Sequence, residues 1–329
     1  MDKKPNEKKK EEPVLFNFAT KELSQDAFFC WLFSWAEEKF NNTQLYVIAK
    51  EFLKDILNED IIVNSLEIRQ QYNKIDFFLR INKSIIIIFE DKIKTSQHDN
   101  QLARYRNIIS KEYSKDKLFF VYLKTDILFQ HEYYIVKEFK YKIYDIFSIY
   151  NKLLRKNNNN IYNDYIKYLT QKIKSYQDFE KIRYSKWEQN EWIGLCYKLQ
   201  KIIQQSVYYD IWQGRELYWI IMESDYLLDK KLRASLEIKH SLGNNYGRLV
   251  ILLHVEDGRL NKYTIRDELR KKFEKLFKDE NIQINNKIGI TTNFIIFNDF
   301  PIVEKGYINF MKTKEYLEKI MIIFEKKVK

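Results

Sequence analysis

Apolar residues recur at helical spacing from Glu22 onward, at Leu23, Ala27, Phe28, Trp31, Leu32 and Trp35, with Thr20 placed to cap the start. A second helix is predicted from about Gln44 to Leu57. The period then shortens to two. "IIVNSLEIRQQ", "KIDFFLRI" and "SIIIIFEDKI" are β-branched and aromatic runs separated by short polar breaks, the pattern of a three-strand meander. Helical spacing returns through Leu102, Tyr105, Ile108 and Ile109, and "KLFFVYLKT" predicts another strand. The order α, α, β, β, β, α, β describes one compact α/β unit over residues 14–126.

Residues 127–186 read as a basic helical connector. From Lys137 to Lys186 there are twelve Lys or Arg against five Asp or Glu, interleaved with Tyr and Phe and broken by the polar run Asn157–Asn160. Such a segment suits either a basic, aromatic nucleic-acid surface or a solvated Lys face over a Tyr/Phe core. Residues 187–329 predict a C-terminal α+β domain of unassigned role. Its expected elements are a helix from Lys186, strands near 216–223, 232–240 and 248–256, a helix near 264–278, a strand near 288–297 and a last helix from about Val303.

Composition adds a partner class. The formal charge is +11 and the sequence pI about 9.2, which favours a polyanion, although AT-rich coding also inflates Lys. Residues 1–13 carry five Lys and four acids without an apolar run, so they read as a disordered charged tail and as neither signal peptide nor anchor. No aliphatic run approaches the roughly 18 residues of a membrane span. Two cysteines, Cys30 and Cys196, lie in apolar helical patterns, which suggests no disulfide framework and fits a reducing cytoplasm. The four histidines have no paired spacing for a metal or a triad; His98 begins the helix that carries Gln101. Trp31 and Trp35 read as core.

Three charged residues resist that bland account. If Asn82, Lys83 and Ser84 form a three-residue loop, Ile81 pairs with Ile85 and Asp76 falls opposite Glu90. Ile75, Phe77, Leu79 and Ile81 then share one face with Ile85, Ile87 and Phe89, while Asp76, Glu90 and Lys92 share the other. A two-residue loop would instead separate the acids. Two carboxylates across a strand pair can hold a hard divalent cation such as Mg²⁺, and a lysine two residues on can orient a water or stabilise phosphorane charge. Assigned to chemistry rather than to the fold, Glu90 and Lys92 should contribute little to stability. A second E-x-K, Glu237-Ile-Lys239, lacks a hairpin acid and reads as a solvent-facing pair.

The string Asp76, thirteen residues, Glu90-Asp91-Lys92, then Gln101-x-x-x-Tyr105 resembles the PD-(D/E)XK nuclease superfamily, in particular bacterial and phage members with a Q-x-x-x-Y helix. "ELSQDAFFCWLFSWA" looks like their first helix, with Glu22 as its acid. Ile75 stands where the naming proline would be, Gln25 where some relatives have His, and an Asn-His-Gly after the first helix is missing. The resemblance covers about residues 14–125. It implies a restriction-endonuclease-like α-β-β-β-α-β core with a mixed central sheet, and a Mg²⁺-dependent nuclease in which Mn²⁺ can substitute. Asp76 and Glu90 would be metal ligands, with the Asp91 carbonyl and Glu22 as further ligands, Lys92 placing the nucleophile, and Gln101 and Tyr105 facing the same cleft. The implied partner is nucleic acid, DNA before RNA, with no membrane and with the C-terminal half open to a homodimer or partner subunit. A DNA endonuclease of phage defence or of a mobile element is the leading expectation; a non-catalytic nucleic-acid-binding subunit and an RNA-directed nuclease are the alternatives.

Overall fold

The computed structural model describes residues 14–19, 21–93, 100–203, 208–212, 216–223, 232–241, 247–255, 293–297 and 300–328, with a few positions between 271 and 282. The charged tail 1–13, Thr20, His98 and most of the helix expected near 264–278 lie outside them. Along the chain run α1 (Glu22–Ser34), α2 (Gln44–Leu57), β1 (Leu66–Tyr72), β2 (Ile75–Ile81), β3 (Ile85–Lys92), α3 (Gln101–Glu112), β4 (Lys117–Lys124), α4 (Gln130–Glu138), β5 (Lys142–Asp145), α5 (Ile146–Leu153) and α6 (Asn160–Gln177). There follow α7 (Gln189–Ile203), β6 (Tyr208–Trp212), β7 (Glu216–Glu223), β8 (Leu232–Ser241), β9 (Gly247–Val255), β10 (Asn293–Ile296), β11 (Val303–Glu304), β12 (Tyr307–Ile308) and α8 (Phe310–Val328).

The chain divides into two compact units. The first holds the residues up to Ile93, Asn100–Asp126 and Lys140–Lys172, and the second Ile127–Phe139 and Ile173–Lys329. The expected connector is therefore shared between them, and β5, absent from the predicted elements, joins the first unit's sheet.

That sheet has the order β1-β2-β3-β4-β5. Strands β1, β2 and β3 are antiparallel, whereas β3, β4 and β5 are parallel, so this is an α/β fold with a mixed sheet. Strand β3 is buried at all eight positions because both its faces are covered. On one, Phe33 of α1 packs on Phe89, and Phe52 of α2 packs on Tyr144. On the other, Arg106 of α3 lies over Phe120, and Phe78 meets Tyr113 just beyond α3. A strand covered twice needs a continuous apolar run, which is what Ile85–Phe89 provides. Helix α2 starts on the Thr43 hydroxyl, which accepts from the Tyr46 N–H at 3.1 Å, and ends at left-handed Asn58.

The β2–β3 turn sets the site's register. Ile81 pairs with Ile85 and Phe77 with Phe89, the rings of the last pair stacked at 4.3 Å, as the three-residue loop requires. Asn82 and Lys83 both take left-handed backbone, φ 49° and 60°, and the Ser84 N–H returns to the Ile81 carbonyl at 3.1 Å. The Asn82 side chain accepts from the N–H groups of Asn64 and Ser65 and donates to the Ile62 carbonyl at 2.7 Å. It ties the turn to the segment entering β1.

Helix α6 closes the first unit. Its Tyr162 and Tyr165 are fully buried, and Tyr165 stacks on Phe28 of α1 at 3.7 Å. Tyr162 and Tyr165 are thus covered core, whereas Tyr168 of the same helix is half-buried. Trp31 and Trp35 are half-buried and meet edge to face.

In the second unit, β6 to β10 form an antiparallel sheet ordered β10-β9-β8-β7-β6. Gly247 is required where it stands, since a Cβ there would lie 2.2 Å from the Trp192 ring of α7. Two expectations are corrected. Glu237 does not face solvent: it is 3% exposed and accepts from the Ser235 hydroxyl at 2.5 Å, with Lys239 at 3.8 Å. The last helix starts at Phe310, not Val303, because 303–308 pairs as the hairpin β11–β12. Both cysteines are buried and free, and no described helix is long and apolar enough to cross a membrane.

Asn82→Ala removes three side-chain hydrogen bonds and leaves alanine in left-handed backbone, so a loss of about 2 kcal/mol is expected in urea unfolding. Asn82→Gly, which relieves the backbone, should lose less. Equal losses would assign the whole effect to the side chain.

Candidate active site

The register that stacks Phe77 on Phe89, continued by one residue, sets Asp76 opposite Glu90. Asp76 Oδ2 accepts from the Asp91 N–H at 2.8 Å, binding the two strand ends together. These residues sit where β3 ends, between an antiparallel and a parallel neighbour. Alternation then divides them. Glu90 and Lys92 lie on the α3 face, and the Asp91 side chain lies on the α1 face with Phe89.

Glu90 is fully buried, and the nearly buried Lys92 ammonium lies 2.5 Å from its Oε1. The Lys92 ammonium is the partner of this carboxylate, and no other donor reaches either Glu90 oxygen. Burial, reinforced by the Asp76 carboxylate, pushes the Glu90 pKa up to about 8 against the pull of Lys92. Burial also raises Asp76, opposed by Lys92 and by the Asp91 N–H. Burial works against the Lys92 charge, yet Glu90, Asp76 and Glu22 together hold its pKa above the ordinary lysine value. Glu22, at the first turn of α1, reaches the same strand end: its Oε1 accepts from the Ile93 N–H at 3.3 Å.

Gln101 and Tyr105 are placed differently from the expected cleft pair. The Gln101 amide donates to the Tyr105 hydroxyl at 2.8 Å, and that hydroxyl donates to the Lys74 carbonyl. Buried Tyr105 thereby pins α3 to the β1–β2 turn, two residues before Asp76. The pair supports the strand that carries Asp76 and has no hydrogen bond to the acids.

A second buried polar group, on the α1 face, was not anticipated. Gln25 Nε2 donates to Asp91 Oδ1 at 2.5 Å, and the Thr125 hydroxyl donates to Gln25 Oε1. Asp26, 1% exposed, meets the Asp91 carboxyl, and no other donor reaches its oxygens or Asp91 Oδ2. The two carboxyls are in contact, and burial raises both pKa values, that of Asp26 to about 7. Such a pair persists by holding a proton between them. The available signal was the spacing Glu22, Gln25, Asp26, one face of α1, against the alternation of Glu90 and Asp91.

The donor set can be tested against Mg²⁺. Asp76 and Glu90 supply carboxylates, with Lys92 beside the Glu90 oxygens, and the Asp91 carbonyl lies between Glu90 and Lys92 in the chain. Among the described residues no group of three or more His, Cys, Asp or Glu is arranged to hold a metal ion. A site of two carboxylates suits an ion that keeps several waters, which fits Mg²⁺ better than Zn²⁺ or Ca²⁺, whose sites require more protein ligands. Comparison with family models, with curated proteins and with solved structures returned no match.

Burial also overturns the expectation that Glu90 and Lys92 matter little to the fold. Asp26 and Glu90 bind protons more tightly in the folded state than in the unfolded one, so their contribution to stability is fully present below their ordinary values of 3.8 and 4.5 and is lost as pH rises through about 7 and 8. Without divalent cations, urea midpoints should decline across that window, and Glu90→Gln should flatten the decline. At pH 8, Lys92→Ala should lose about 3 kcal/mol or more by stranding Glu90, with most of it recovered in the Glu90→Gln/Lys92→Ala double variant. A pH-independent midpoint would contradict the buried-acid assignment.

Proposed function

We propose that the chain is a Mg²⁺-dependent nuclease that hydrolyses phosphodiester bonds. The observation that carries this reading is the fully buried Glu90 carboxylate, paired with Lys92 and set beside Asp76 at the strand ends. A buried ion pair with a second carboxylate beside it adds little to stability, because desolvation offsets its Coulombic gain. A cation-binding function explains why it is kept. The α/β unit with its mixed sheet is compatible with the restriction-endonuclease-like core that the PD-(D/E)XK resemblance implies.

Asp76 and Glu90 would hold the ion, and Glu22 adds a third negative charge beside them. When bound, Mg²⁺ supplies charge stabilisation to a phosphodiester in its transition state. Lys92, kept cationic by its acidic neighbours, orients the attacking water and offsets negative charge as it builds on the phosphoryl oxygens. Water attacks phosphorus, the P–O ester bond breaks, and a phosphomonoester and a hydroxyl end result. The α1-face acids and Gln101–Tyr105 support the strands that carry these groups.

The net charge of +11 supports a nucleic-acid substrate. DNA is the reading adopted, by the resemblance to bacterial and phage endonucleases, which also suggests a role in phage defence or in a mobile element. A non-catalytic binding subunit is disfavoured because Asp76, Glu90 and Lys92 are all kept and kept together.

Purified protein incubated with plasmid, linear duplex, single-stranded DNA or RNA should cut at least one DNA substrate with Mg²⁺ or Mn²⁺. EDTA or Glu90→Ala should remove cleavage by about a hundredfold or more. Cleavage of RNA alone would redirect the substrate class. Binding without cleavage on every substrate would favour the non-catalytic subunit.

A further inference from the structure

A polar chain runs behind the site through residues that the proposed reaction does not touch. On α6, nearly buried Lys172 donates to the Thr125 carbonyl at 2.7 Å and pairs with Asp126 at 3.3 Å. The Thr125 hydroxyl donates to Gln25 Oε1, Gln25 Nε2 donates to Asp91 Oδ1 at 2.5 Å, and the Asp91 N–H donates to Asp76 Oδ2 at 2.8 Å. Thr125, Gln25 and Asp91 are all buried, so water does not substitute for these partners.

The direction of the chain follows from donor chemistry. The Gln25 amide has one accepting end and one donating end, and an inverted amide would set its carbonyl against Asp91 Oδ1. Asp91 Oδ1 accepts and so turns Nε2 toward itself, and the Thr125 hydroxyl, donating to Oε1, holds the amide in that orientation. The peptide between Glu90 and Asp91 is the consequential link, because its N–H holds Asp76 and its carbonyl side belongs to Glu90. Anchoring the Asp91 side chain on the α1 face limits rotation of that peptide.

We infer that Gln25, oriented by the Thr125 hydroxyl, is a positioning residue that fixes the Glu90–Asp91 peptide and with it the relative placement of the Asp76 and Glu90 carboxylates. The consequence for cation affinity rests on the nuclease reading. The consequence for the Asp91 amide does not. A residue that only docked α1 would affect melting and leave both untouched.

The test compares Thr125→Val, which keeps the branched shape and loses the donor, with Thr125→Ser, which keeps the hydroxyl. Gln25→Leu is the second variant should Thr125→Val fail to fold. Two quantities are read on the full chain: hydrogen exchange at the Asp91 amide by NMR, and Mn²⁺ affinity by calorimetry. Thr125→Val should speed Asp91 exchange and weaken Mn²⁺ binding about 10- to 100-fold, the usual range for partners that orient metal ligands, with Thr125→Ser close to wild type in both. Unchanged exchange with unchanged affinity overturns the inference. If the wild type binds no Mn²⁺, or Glu90→Gln binds it equally well, the nuclease reading fails instead. Exchange then decides the positioning role alone: faster exchange at Asp91 upholds it and unchanged exchange ends it.

Discussion

Burial of the Glu90 carboxylate is the constraint on which the rest of the first unit turns. One lysine lies beside it, while Asp76, Glu22, Asp91 and Asp26 crowd the same strand end. Negative charge exceeds positive charge at a strand end where Glu90, Asp91 and Asp26 are buried and Asp76 and Glu22 half-buried. Proton uptake or a cation must relieve the excess. The metal-free protein takes the first route through raised carboxyl pKa values, and the proposed function supplies the second.

The architecture keeps this costly group in place. Strand β3 is central and covered on both faces, so its end cannot fray toward solvent and solvate Glu90. The Asn82 turn sets the register, Tyr105 ties α3 to the β1–β2 turn, and α1 grips the end of β3 through Glu22 and Gln25. The Tyr105, Glu22 and Gln25 contacts are buried or half-buried hydrogen bonds around the strand ends, while the Asn82 bond secures the far turn at the surface. Deleting one partner leaves the other unsatisfied, which gives such networks their rigidity.

Much of this was legible in the sequence where local chemistry dominates. Helix α2 was readable because its apolar positions repeat cleanly between Thr43 and Asn58. The hairpin register was narrowed, though not decided, by a polar Asn-Lys-Ser break between two apolar runs. Strand β5 was not readable: four residues, Lys142–Asp145, carry too little pattern, and they become a strand only by lying beside β4. Gln25 and Asp26 carry no local signal of burial. They are buried because α6, more than a hundred residues later, packs Tyr165 against Phe28. Glu237 was misplaced for a related reason, since nothing within β8 signals that its polar face is covered.

The most direct test of the account is anomalous X-ray diffraction from crystals of the wild type and of Glu90→Gln grown at pH 8 with Mn²⁺. The account predicts a Mn²⁺ peak beside Asp76 and Glu90 in the wild type that is lost or much weakened in Glu90→Gln. A well-ordered wild-type site without a peak, or a peak on the α1 face beside Asp26 and Asp91 alone, would contradict it.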